Sequence, residues 1–169
     1  MTKVLVAGIG NIFFSDDGFG PEVARRLVAG GAAGEALPDG VRVVDYGIRG
    51  MHLAYDLLER VDALVLVDAV PGSGPPGTIS VLEVGPDDLG KGDFDAHGME
   101  PVAVLASLGS LGGELPTTYV VGCHPADMGE GIGLSPPVEA AVDQVAATVR
   151  LLIWERVLAH ASTAPGREA

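Results

Sequence analysis

Residues 63–69 read Ala63-Leu64-Val65-Leu66-Val67-Asp68-Ala69. A run of apolar positions with no polar residue among them is what a strand buried on both faces requires, and such strands occupy the middle of parallel sheets covered by helices. The run stops at a carboxylate, Asp68.

Working toward the N-terminus, Leu53, Leu57, Leu58 and Val61 fall on one stripe of a helix expected over Met51 to Val61, and Val41 to Val44 is a second apolar run ending at Asp45. Further back, Lys3 to Gly8 reads as a first strand. A loop rich in Gly, Asn and Asp leads from it to Pro21, after which Val23, Leu27 and Val28 recur at helical spacing. Toward the C-terminus, Pro71 to Gly77 holds three prolines and three glycines and can only be a loop. Thr78 to Val84 alternates as a strand, and Pro86-Asp87-Asp88 is a turn. Gly90 to Gly98 is polar and glycine-rich, and Val102 to Leu108 resumes helical character. Thr117 to Val121 is a last strand, and Val138 to Leu158 a long helix with Val142, Val145, Val149, Leu152 and Ile153 along one side. The tail from Ser162 to Ala169 is expected to fray. Strands alternating with helices imply an open α/β sheet in three layers.

The 169 residues fit one domain, 1–169, large enough to form a core without disulfides. Apolar residues make up 47% of the chain, yet no run approaches the roughly 18 to 20 uncharged residues of a membrane-spanning helix. The N-terminal apolar stretch breaks at Gly8 with no cleavage pattern behind it, so it reads as a strand and not a signal. Cys123 is the only cysteine, which excludes an intrachain disulfide and points to a reducing, cytoplasmic setting. A formal charge of −13 repels phosphate backbones and anionic membranes, so nucleic acid and membrane are not expected partners.

In an open α/β sheet, ligands gather beyond the carboxyl ends of the parallel strands. The loop after the first strand, Gly8 to Gly20, holds Asp16 and Asp17, and the third strand delivers Asp68. A dinucleotide site fails at Phe13, which stands where close phosphate approach needs a third glycine. Carboxylates in a crevice suit a divalent cation, which offsets their mutual repulsion. His97, in Asp95-Ala96-His97-Gly98-Met99, supplies an imidazole whose combination with two carboxylates suits nickel, zinc or a similar ion. Structural readings stand beside these. Asp16 or Asp17 could cap the first helix, Asp68 could bond its own turn, and His97 could be a solvated loop residue. Of the two adjacent acids, Asp16 is assigned to loop structure and Asp17 to chemistry. Cys123 and His124 are neighbours whose side chains point to opposite faces of a strand, so they do not make a nucleophile and base. Cys123 reads as a small buried hydrophobe, and His124, at a strand end, as a candidate groove residue.

The first loop, Gly8-Ile9-Gly10-Asn11 followed by Asp16-Asp17-Gly18, resembles the signature of the nickel-iron hydrogenase maturation proteases. So do Leu64-Val65-Leu66-Val67-Asp68-Ala69, the histidine His97 about thirty residues later, and Gly133-Leu134-Ser135-Pro136-Pro137-Val138 before the last helix. The resemblance implies a three-layer α/β/α sandwich with a five-stranded mixed sheet, order 2-1-3-5-4 and one antiparallel strand, for which Thr78 to Val84 is the candidate. It implies an endopeptidase of aspartic type that removes the C-terminal extension of a nickel-loaded hydrogenase large-subunit precursor, acting as a monomer. Asp17, Asp68 and His97 correspond to the family's metal ligands, with nickel supplied by the substrate and zinc or cadmium able to substitute in vitro. The loop Asp45-Tyr46-Gly47-Ile48-Arg49-Gly50 stands where many members carry Asp-Gly-Gly-Thr-x-Gly. That loop bears on substrate choice in the family, which makes Gly47, Ile48, Arg49 and Gly50 the substrate-binding candidates. A non-catalytic nickel-binding maturation chaperone and a nucleotide-binding α/β domain are the rival functions.

Overall fold

The computed structural model describes residues 1–30, 36–88, 105–106 and 108–159. The glycine-rich stretch from Gly90 to Gly98 with His97, most of the helix expected over Val102 to Leu108, and the tail from Ser162 lie outside the described residues.

The strands are β1 (Val4–Ile9), β2 (Val41–Gly47), β3 (Ala63–Ala69), β4 (Ile79–Val84) and β5 (Thr117–Cys123). They form one sheet in the order β2-β1-β3-β5-β4. β1 pairs in parallel with β2 and β3, and β3 in parallel with β5. β4 runs antiparallel to β5, the strand expected to do so, because the short Pro71 to Gly77 connection has no length for a helical crossover. β3 is buried along its whole length, as its unbroken apolar run requires.

Helices α1 (Phe19–Ala29), α2 (Gly50–Leu58) and α3 (Pro136–Leu152) pack on the sheet. Strand alternation divides the core in two. Val4, Val6, Val65, Val67, Val121 and Cys123 point to the face covered by α1 and α3, where Phe19, Val23, Val142, Val145 and Val149 meet them. Leu5, Ala7, Leu64, Leu66 and Val120 point to the other face, against Leu53 and Leu57 of α2 and against Leu105 and Leu108. None of the described helices is long and apolar enough to cross a membrane.

Several boundaries differ from the sequence reading. β2 continues to Gly47, because Ile9 and Gly47 still pair past the irregularity at Gly8 and Ile9. The helix expected over Met51 to Val61 spans Gly50 to Leu58 and ends where Glu59 turns extended. The last helix is α-helical only to Leu152 and continues to Leu158 in the wider π form. α1 begins at Phe19, two residues before Pro21, directly after a 3-10 turn at Ser15–Gly18.

That early start wedges α1 against the sheet. A Cβ on Gly20 would lie 2.3 Å from the carbonyl oxygens of both Ile9 and Val67, so only glycine lets the helix enter between the ends of β1 and β3. Gly20→Ala is expected to lower unfolding stability by about 2–3 kcal/mol, since backbone on both sides must move apart. Denaturant unfolding of the variant checks this.

Candidate active site

The ends of β1 and β3 carry the two carboxylates that the sequence reading favoured. After β1 the chain doubles back tightly. Gly10 has φ +141°, and a Cβ there would come within 1.8 Å of the Asp17 carbonyl oxygen. The Asn11 N–H donates to Asp17 Oδ2 at 2.9 Å, while Asn11 Oδ1 accepts from the Phe13 N–H at 2.9 Å. The Asp17 N–H closes the turn onto the Phe14 carbonyl at 3.1 Å. Asp17 is half-buried and held in place by its own loop.

Asp68 is the penultimate residue of β3 and only 7% exposed. By strand alternation it lies on the side of Leu64 and Leu66. Its carboxyl is held well above the ordinary carboxylate range, first by burial and then by the negative charge of Asp17, with only the Ala69 N–H opposing the shift. That N–H is all, among the described residues, that the turn-bonding reading of Asp68 rests on. Among the described residues no Lys, Arg or His forms an ion pair with either acid. Nor do three His, Cys, Asp or Glu side chains gather there as a metal site. The third expected ligand, His97, lies outside the described residues.

Asp16 has a different task. It is fully buried, and its carboxylate accepts from the N–H groups of Ala126 (2.8 Å), Asp127 (2.9 Å) and Ser135 (2.7 Å) and from Ser135 Oγ (2.8 Å). Burial pushes its carboxyl up, but the bonds from Ser135, Asp127 and Ala126 outweigh this and leave it below the ordinary range. Ser135 is the N-cap residue of α3, yet its hydroxyl turns to Asp16 instead of capping the helix. The helix N-terminus adds its own preference for an anion. Neither acid caps α1, whose N-cap is Gly18. Asp16 belongs to loop structure, as the sequence reading had it, but the partners it clamps were not foreseen.

The Gly47 to Gly50 loop lies at the same end of the sheet. Gly10 N–H donates to the Gly47 carbonyl at 3.0 Å, which joins the loops after β1 and β2. Arg49 folds back on its own turn, donating to the carbonyls of Tyr46 (3.2 Å) and Asp45 (2.7 Å), while Ile48 is exposed. His124 follows β5. Its Nδ1 accepts from the Gly72 N–H at 3.0 Å, so it anchors the Pro71 to Gly77 loop. Cys123 is fully buried in the α1 and α3 core. Burial, helped by the charge of Asp16, pushes its thiol up to about 11, which removes it as a nucleophile near neutral pH.

The model of the hydrogenase maturation protease family matches residues 23–150 of this chain. The chain belongs to that family. It is 32% identical to the hydrogenase 2 maturation protease of Escherichia coli, across 88% of this chain and 91% of that one. It is also 34% identical to the coenzyme F420 hydrogenase subunit delta of Methanothermobacter thermautotrophicus, across 83% and 87%. The solved structure of the hydrogenase maturating endopeptidase HybD from E. coli superposes with a TM-score of 0.76 at 29% identity, covering 91% of this chain and 93% of that one. A hydrogenase 2 maturation peptidase from a Thaumarchaeota archaeon gives 0.68 at 31% identity, covering 90% and 99%. As a member, the chain is a maturation endopeptidase that processes the C-terminus of a nickel-iron hydrogenase large subunit.

Proposed function

We propose that this maturation protease removes the C-terminal extension only after nickel is in place, because Asp17 and Asp68, together with His97, grip the nickel ion that the precursor carries. The observation that supports this reading is the electrostatic condition of Asp68. A nearly buried carboxyl beside a second carboxylate, with one N–H and, among the described residues, no cation to offset it, is costly unless a positive charge arrives. A divalent ion delivered by the substrate supplies that charge. Two carboxylates and one imidazole leave coordination positions open for the precursor's own ligands, unlike a closed four-ligand structural site. The ion then serves as recognition element and as anchor for the scissile bond, and zinc or cadmium can take its place in vitro. Gly47 to Gly50 line the approach and are proposed to contact the extension.

The residues of this chain do the positioning. The Asn11 N–H orients Asp17, and the end of β3 holds Asp68. The hydroxyls of Ser15 and Ser135 bond to the Gly129 carbonyl and to Asp16 and so hold the loops that flank the site. Water is the nucleophile proposed for the cut.

Incubation of the purified chain with nickel-loaded precursor, read by mass spectrometry, tests the reading. Expected products are a shortened large subunit and a released C-terminal peptide. A precursor that binds and stays intact would put a nickel-binding chaperone in place of the endopeptidase.

A further inference from the structure

The turn that carries Asp17 also carries side chains that the fold does not use. Phe13 is 61% exposed, Phe14 40%, and Ile132, on a loop more than a hundred residues later, 80%. The backbone brings these two segments side by side. Gly131 N–H donates to the Phe13 carbonyl at 2.8 Å, Ser15 N–H returns to the Gly131 carbonyl at 2.9 Å, and Phe14 and Gly131 form an isolated parallel bridge. Ser15 Oγ adds a bond to the Gly129 carbonyl at 2.9 Å, and Asp16 clamps the flanks of the same loop.

We infer that Phe13, Phe14 and Ile132 form an apolar docking platform for the large-subunit precursor, engaging an uncharged, apolar stretch of it next to the bond to be cut. This rests on the precursor being the substrate. The platform adjoins the candidate active site along the chain, because Phe13 and Phe14 lie on the loop that delivers Asp17. Its chemistry selects the occupant. Gly8 to Ser15 and Gly131 to Pro137 contain no charged residue, so the platform itself offers apolar contact and no ion pair. Exposed Asp127 and Glu130 border it and supply a polar rim. Large apolar side chains on a backbone already pinned by hydrogen bonds lose little freedom on binding, which favours their use as anchors.

The test compares wild type, the double variant Phe13→Ser/Ile132→Ser, and the control Val28→Ser, an exposed apolar residue in the last turn of α1. Kd for nickel-loaded precursor is measured by calorimetry, and KM and kcat by mass-detected cleavage. For the double variant, Kd and KM are expected to rise about tenfold or more, with kcat within about twofold and an unchanged melting temperature. Val28→Ser should match wild type. Unchanged Kd and KM in the double variant would overturn the platform. If wild type binds precursor without cutting it, the endopeptidase reading falls, and the Kd comparison alone decides the platform. If wild type does not bind precursor, both fall.

Discussion

Asp68→Asn is expected to slow processing of nickel-loaded precursor by about 10³-fold, equivalent to roughly 4 kcal/mol of lost stabilisation at the reacting centre. The same substitution should raise the melting temperature of the metal-free enzyme by about 3–6 °C, or roughly 1–2 kcal/mol in a domain of this size. The two effects share one cause. The acid is nearly buried beside Asp17 and its folded pKa is raised, so the ionised form is worse tolerated in the native state than in the unfolded chain. Native stability is therefore full below the unfolded value near 3.8 and is lost as pH rises from there through the raised folded value. An asparagine does not titrate, so the stability gap between variant and wild type should open over that window and close again at lower pH. Asp17→Asn should cost processing a similar factor of about 10³. Asp17 is half-buried and already bonded to Asn11, so its removal affects the metal-free fold mainly by relieving Asp68. Cleavage rates with loaded precursor, and melting curves between pH 3 and 8, check both variants.

Asp16→Ala is expected to destabilise the protein by about 3–5 kcal/mol. Three backbone N–H groups, at Ala126, Asp127 and Ser135, and one hydroxyl would lose a fully buried acceptor at once. Because the folded pKa of Asp16 lies below its ordinary value, this stability is present above the unfolded pKa and is lost as pH falls through the folded one, in the range below about 4. Chemical denaturation at pH 7 and at pH 3 separates the cases. Wild type should lose much of its advantage over the variant at the lower pH. The two buried acids thus act in opposite senses: Asp16 stabilises the fold as an anion, and Asp68 lowers its stability as one.

The central strand was readable because burial on both faces leaves a run without polar residues, and Ala63 to Val67 is such a run, too short for a buried helix. The antiparallel placement of β4 followed from a connection too short to cross over. Asp17 and Asp68 were readable as candidates because strand ends in this architecture mark the ligand crevice. What hydropathy could not show is that Asp68 remains almost wholly buried at a strand end. The Asp16 clamp escaped for a different reason. Its partners lie 110 to 119 residues away, and local sequence offers Ser135 only as a helix N-cap. Gly20 was equally hidden, since a glycine in a glycine-rich loop carries no sign that two carbonyls from different strands crowd it. His97, named as an imidazole to join two carboxylates and matched by the family resemblance, lies outside the described residues.

Two aliquots of one precursor preparation, nickel-loaded and nickel-free, treated with the same wild-type enzyme and followed by mass, address the gripping of a delivered ion most directly. Rapid release of the C-terminal peptide from the loaded aliquot and an intact nickel-free aliquot is the predicted result. Equal cleavage of both would contradict the account, because Asp17 and Asp68 would then act without the cation assigned to them.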